Sequence, residues 1–211
     1  MTGIISLQGG GPFVANDALD ARLLAEVGAD KVVVLPTADA FEHPERLVAA
    51  ALTWGERLEV EVEALMVLRR GEAQEVGAAN LVRSARAVHL AGDQPLHLRS
   101  VLKDTALWDA LLAVLADGGL VTASGGSAAA MCDPMVDPRG GAFTLGLGLV
   151  PGLALVTEAE TWSGERLHRT LSLANTTVAT LRTGTALVRR AGAWETVGDV
   201  DVRGDLPGAP D

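Results

Sequence analysis

Along the chain, short β-branched or otherwise apolar runs alternate with longer stretches in which apolar residues return every three or four positions. Ile4-Ile5-Ser6-Leu7 reads as a strand running into Gly9-Gly10-Gly11-Pro12. Residues 17–27 predict a helix capped by Asn16 or Asp17, with Leu19, Leu23, Leu24 and Val27 on one face. Lys31-Val32-Val33-Val34-Leu35 is a near-continuous apolar run, the signature of a strand buried on both faces, and Pro36 ends it. Residues 44–58 predict a helix with Pro44 in its first turn. Residues 60–67 alternate Glu with apolar positions, as a half-buried strand does. A helix over 71–83 and a strand over 87–90 follow, and helical segments then run to Asp117. Residues 119–123 form the next strand, halted by Ser124-Gly125-Gly126, and Ser127 opens an Ala-rich helix. A loop over 133–141, a strand over 153–157 and a helix over 164–173 come next, with short antiparallel strands and turns from 177 to 202.

This alternation predicts an α/β fold: a three-layer αβα sandwich around a mostly parallel sheet, flavodoxin-like, with a short antiparallel C-terminal extension. Residues 1–203 are expected to form one domain and 204–211, rich in Gly, Pro and Asp, a flexible tail. Ligands of such sheets bind outside the carboxyl ends of the strands, which directs attention to the loops there.

Composition narrows the function. Of 211 residues, 48% are hydrophobic and 21% charged, enough for a substantial core. Seventeen Lys and Arg against 27 Asp and Glu leave a net charge of −10, which repels a polyanion, so nucleic acid is not an expected partner. Cys132 is the only cysteine, and His43, His89, His97 and His168 are scattered, so no metal site is expected. The N-terminus, MTGIISLQGGG, lacks the basic start and long apolar run of a signal peptide, and the apolar stretch over 145–156 is too short to span a bilayer. The expected location is the cytoplasm.

Three loops follow predicted strands on one rim: Gly9-Gly10-Gly11, Ala91-Gly92-Asp93-Gln94 and Ser124-Gly125-Gly126-Ser127-Ala128. A serine between strand and helix, after glycines and before small residues, has the form of a nucleophile elbow, where a tight turn holds a hydroxyl over the sheet edge. The same Ser127 also suits a plain helix N-cap, and the sequence departs from G-x-S-x-G because Ala129 stands two positions on. Gly92 fits either an oxyanion-donating loop or an ordinary turn. Gly9-Gly10-Gly11 lacks the spacing of a phosphate-binding loop.

Four stretches, in order, resemble the peptidase S51 family (cyanophycinase, dipeptidase E and their relatives), whose fold is class I glutamine-amidotransferase-like. Val34-Leu35-Pro36-Thr37-Ala38 resembles the family's "IPTAS", Ala91-Gly92-Asp93-Gln94 its "GGDQ", Ser124 to Met131 its "AGTSAGAM", and Gly146 to Gly152 its "GLGLLPG". The resemblance implies a serine-type hydrolase cleaving a peptide or isopeptide bond next to an acidic residue through an acyl-enzyme at Ser127. It further implies oxyanion N–H groups from Gly92 and Ala128, a substrate cleft lined by Asp93 and Gln94, and no metal or organic cofactor. The implied partner is a small acidic peptide or amide, with a homodimer left open.

The family's catalytic histidine is expected six residues past Gly152, where this chain has Glu158. A serine without an adjacent base is a weak nucleophile, and an ordinary carboxylate is a far poorer base than imidazole at neutral pH. Glu158 with a raised pKa could serve, whereas His168 reads as a surface residue beside an apolar stripe. Asp133 and Asp137, each before a proline, are candidates for an acidic partner as well as turn formers, and Arg83, Arg86, Arg99 and Arg139 are the candidate cations for an acidic substrate. The alternative to a peptidase is a catalytically impaired relative that binds a small ligand or protein partner without turnover.

Overall fold

A computed structural model of the chain describes residues 2–208; the last part of the expected tail, residues 209–211, lies outside the described residues. The central seven-stranded sheet contains five parallel strands: β1 (Ile4–Gln8), β2 (Lys31–Leu35), β3 (Glu61–Ala64), β4 (Ala87–Leu90) and β5 (Leu120–Ser124). They stand side by side in the order β1-β5-β4-β2-β3, and the antiparallel hairpin Ala186–Arg190 and Ala193–Val197 extends the sheet beyond β1. Helices cover both faces, as the α/β reading requires.

The reason is visible in the strands. Alternate residues of each strand point to opposite faces. Ile4, Val32, Val34, Ala87 and Leu120 pack under α1 (Asp17–Val27) and α2 (Pro44–Leu58). Ile5, Leu7, Val33, Leu35, Val88, Leu90 and Val121 pack under α3 (Val76–Arg83), α4 (Pro95–Leu102), α5 (Ala106–Ala116) and α6 (Gly126–Met131). Two cores therefore sandwich one sheet. Thr105 caps α5, its hydroxyl accepting from the Trp108 N–H at 3.3 Å.

The second half of the chain adds a smaller five-stranded sheet, in the order Asp201–Arg203, Thr177–Thr180, Leu153–Val156, Cys132–Asp133, Val150–Pro151. The strands after 177 are thus not uniformly antiparallel: Thr177–Thr180 runs parallel to Leu153–Val156. Helix α7 (Gly164–Leu173) leans Leu167 and Leu171 on this sheet. Up to Gly208 the expected tail accepts hydrogen bonds from the body: the Thr177 hydroxyl donates to the Asp205 carbonyl, the Trp194 indole to the Pro207 carbonyl and Arg189 to the Gly208 carbonyl. No helix among the described residues is long and apolar enough to cross a membrane.

A polar stripe runs through the α1/α2 core. Ser6, Gln8, His89, Thr122 and Ser124 all project to that side of the sheet and are buried. The Ser124 hydroxyl donates to Gln8 Oε1 at 3.0 Å, so His89 Nε2, 2.8 Å from Ser124 Oγ, carries the proton and donates in turn. Gln8 Nε2 completes the chain by donating to Asp20 Oδ1 at 2.6 Å, and Asn16 Nδ2 also donates to Gln8 Oε1. Burial alone pushes the His89 imidazole down to about 3, so it is neutral at any ordinary pH. Burial likewise pushes Asp20 up to about 7, against the opposing bond from Gln8; the Trp54 N–H lies close enough to oppose it further without reaching hydrogen-bond geometry.

Candidate active site

The three loops expected on one rim do meet. The Gly125 N–H donates to the Gln8 carbonyl at the end of β1, the Glu158 N–H to the Gly9 carbonyl, and the Gly126 N–H to Asp93 Oδ1 at 3.3 Å. Between them lies a cleft of about 210 Å³ lined by Asp93, Gly126, Ala129, Leu155, Glu158, Trp162 and Arg166, among others.

The elbow is at Gly125, not at Ser127. Strand β5 extends through Ser124, paired with Gln8 in parallel register, so the sharp turn into α6 falls on the following residue. That residue, Gly125, has φ 61 and ψ −132, a conformation open essentially to glycine alone. The small residues the turn demands two positions either side are Ala123 and Ser127. Ser127 is therefore a flank of the elbow rather than its apex. It is fully buried, and both its N–H, at 2.9 Å, and its Oγ, at 3.1 Å, donate to the Gly92 carbonyl. Its expected role as nucleophile is corrected on these grounds: the hydroxyl is spent inside the fold and does not line the cleft. Ser124, on the other side of the elbow, is equally buried in the polar stripe.

The oxyanion expectation changes with it. The Ala128 N–H is used within the helix turn, donating to the Gly125 carbonyl at 3.1 Å, and Ala128 is fully buried. Gly92 keeps its place in the loop, but its carbonyl is turned toward Ser127; its φ of 114 and its close approach to the Ala38–Asp39 peptide explain why glycine stands there. The N–H next to the elbow belongs to Gly126, and a carboxylate takes it.

That carboxylate is Asp93. A Cβ built on Gly125 would lie 2.5 Å from Asp93 Oδ1, so Asp93 fills the space into which any side chain at the elbow would have to project. Glu158, the residue at the histidine's expected position, does reach the cleft. Its φ of 49 turns the chain there, and its Cγ packs so close to Gly10 that a Cβ on that glycine would come within 2.5 Å of it. Partial burial raises the Glu158 carboxyl above the ordinary carboxylate range, with the charges of Asp93 and then Glu160 adding to it. Asp39 is raised in the same way, by burial and then by Asp93. Asp93 and Glu158 thus both line this cleft, whereas Gln94 faces an adjoining open hollow of about 540 Å³ that it shares with Asp39, Glu42, His43, Arg46 and Asp93.

Other candidates fall away from the cleft. His168 is exposed on α7. Asp133 Oδ1 accepts from the Gly146 N–H at 2.8 Å, and Asp137 is paired with Arg139 at 2.7 Å. Arg86 and Arg99 are spent on backbone carbonyls, and Arg83 reaches Asn80. The cation in the cleft is Arg166, which the sequence pattern does not single out. Its guanidinium sits 3.6 Å from the centre of the Trp162 ring, and its Nη2 donates to the Pro138 carbonyl. The available signal was the W-S-G-E-R run at the start of α7, where Trp162 and Arg166 sit four residues apart and Ser163 caps the helix. Among the described residues, no group of three or more His, Cys, Asp or Glu could hold a metal ion.

No protein-family model matches the chain, and neither does any curated protein. Solved structures do. A peptidase from an acI-B1 actinobacterium superposes with a TM-score of 0.85 at 24% identity, covering 100% of this chain and 93% of the other. A Listeria monocytogenes EGD-e protein described as a candidate peptidase E superposes with a TM-score of 0.73 at 17% identity, covering 93% of this chain and 98% of the other. At these identities the likeness establishes the fold, and that fold, a large mostly parallel sheet flanked by helices, is one this chain shares with peptidases.

Proposed function

We propose that this chain is a peptidase-fold protein whose cleft binds a small ligand without acyl-enzyme chemistry. One observation carries this reading: the elbow residue is Gly125, with Asp93 Oδ1 2.5 Å from where its Cβ would be. Acyl transfer needs a nucleophilic side chain at the turn and donors aimed at a developing oxyanion. Here the turn has no side chain, the neighbouring Gly126 N–H is bonded to a carboxylate, and the histidine position holds a second carboxylate, Glu158. An oxyanion formed beside Asp93 would meet negative charge where stabilisation is required. The peptidase S51 resemblance and the peptidase neighbours then describe the scaffold from which such a binding protein derives its cleft. The test is to offer the chain a panel of dipeptides, aspartyl and isoaspartyl ones included, and follow amine release. No turnover is expected; cleavage abolished by Ser127→Ala would overturn the reading.

A second reading has one observation in its favour. Asp93 and Glu158 both line the cleft, and two carboxyl groups at one site can divide the acid and base roles on a bound water. Cleavage with a bell-shaped pH profile, lost in both Glu158→Gln and Asp93→Asn but intact in Ser127→Ala, would select hydrolysis by that pair.

A further inference from the structure

The cleft is lined by groups of opposite charge, which goes beyond the absence of a nucleophile. At the elbow end, Asp93 and Glu158 face the space with carboxylates, and Asp39 stands close enough to feel the Asp93 charge. Arg166 lines the same cleft without pairing with either Asp93 or Glu158. Its neighbours hold it in place: the Trp162 ring beneath the guanidinium and the Pro138 carbonyl on Nη2. Among the described residues, no carboxylate lies within ion-pair distance of it; Nε is buried without a hydrogen-bond partner, and Nη1 donates to nothing. Asp137 feels its charge from farther off, but that carboxylate is committed to Arg139. Such a cation, stacked and oriented but without an ion-pair partner of its own, is poised to take an anionic group. With Nε buried and Nη2 on the Pro138 carbonyl, Nη1 is the group left to donate to that anion.

From this we infer that the cleft takes a small zwitterion, its ammonium group held by Asp93 and Glu158 and its carboxylate by Arg166, in other words a free amino acid or an ω-amino acid. The inference rests on the reading that the cleft binds rather than acylates, and it adds the ligand's chemistry. Volume supports the small size: about 210 Å³ is below the range of pockets that enclose drug-sized molecules. Charge supports the polarity. A dianion would bring its second negative group against Asp93 and Glu158, and a simple amine would leave Arg166 unanswered. Among the remaining walls, Val136, Pro138, Leu155 and Ala129 offer apolar surface to a short methylene chain between the two charged groups, beside the hydroxyls of Thr157 and Thr161.

Isothermal titration with matched probes tests this directly. Glycine, β-alanine, 4-aminobutanoate and 6-aminohexanoate are the zwitterions, and each is paired with the amine and the carboxylate of equal chain length. At least one zwitterion is expected to bind about tenfold or more tightly than either of its half-ligands, the scale of one charge-assisted hydrogen bond. Arg166→Met should then lose about that factor for the zwitterion while leaving the amine unchanged, and Glu158→Gln should weaken zwitterion and amine alike. Arg166→Lys, which keeps the charge but not the planar group stacked on Trp162, should fall between, and it serves should the Met variant fail to fold. A carboxylate that binds as tightly as its zwitterion, or no binding by any of the four, overturns the inference, and the wild-type protein alone suffices to show either. Failure here leaves the non-acylating reading standing if no dipeptide is cleaved, whereas serine-dependent cleavage sinks that reading whatever binds.

Discussion

Asp20 offers the sharpest quantitative test of how this core is built. Its carboxyl is buried at 4% exposure on α1, one oxygen held by Gln8 Nε2 at 2.6 Å and the other, Oδ2, with no partner. Burial raises it from 3.8 to about 7. The folded protein therefore keeps a proton on Asp20 at pH values where the unfolded chain has released it. Stability from this group is fully present below about pH 4 and is lost as pH rises through 7. A shift of about three units is worth about 4 kcal/mol at pH 8 and above. Asn reproduces the protonated acid: its oxygen can still accept from Gln8, and it cannot ionise. Asp20→Asn should therefore be more stable than the wild type by up to about 4 kcal/mol at pH 8.5, or roughly 10 °C in Tm for a chain of this length, and within about 1 kcal/mol of it near pH 4. Urea unfolding followed by tryptophan fluorescence at several pH values measures this, and all other titrating groups cancel between the two proteins. A difference that does not change with pH would refute the reasoning, because it would mean that Asp20 titrates alike in the folded and unfolded states.

Three further outcomes follow from the same geometry. His89 moves in the opposite sense: depressed to about 3, it contributes stability present above its unfolded value near 6.5 and lost as pH falls toward 3, and an NMR titration should find its imidazole still neutral at pH 5. Gly125→Ser should destabilise by about 1–3 kcal/mol through backbone strain alone, and the addition of Asp93→Ala should recover part of the steric share in a double-mutant cycle read by Tm. Thr105→Ala removes the α5 cap and should cost about 1 kcal/mol in chemical denaturation.

Much of the architecture is legible in the chain because the elements are locally consistent. Helices over 17–27, 44–58 and 164–173 and the strand over 31–35 appear with the bounds that pattern and capping residues suggest. The strand expected over 60–67 shrinks to Glu61–Ala64: the Leu65 N–H still donates to the Val34 carbonyl on β2, but the Val67 N–H turns back to the Leu65 carbonyl. The site is legible as a place but not in its register. S-G-G-S-A-A-A contains two serines and two glycines, and small residues two positions either side suit a turn centred on Gly125 as well as one centred on Ser127. What decides between them is where β5 stops, and that is set by its pairing with Gln8 on β1, more than a hundred residues away. For Arg166 the W-S-G-E-R run hints at stacking on Trp162, but only the packing of α7 over the second sheet carries the pair to the rim. The polar stripe from His89 to Asp20 depends on strand order, which no local window contains.

The central claim concerns one position, and covalent labelling reads it most directly. Intact-mass spectrometry after incubation with a fluorophosphonate, an electrophile that captures activated serines, should show no adduct on the wild-type chain, because neither Ser124 nor Ser127 opens to the cleft. An adduct of one probe mass, mapped to the peptide bearing Ser127 and lost in Ser127→Ala, would contradict the account.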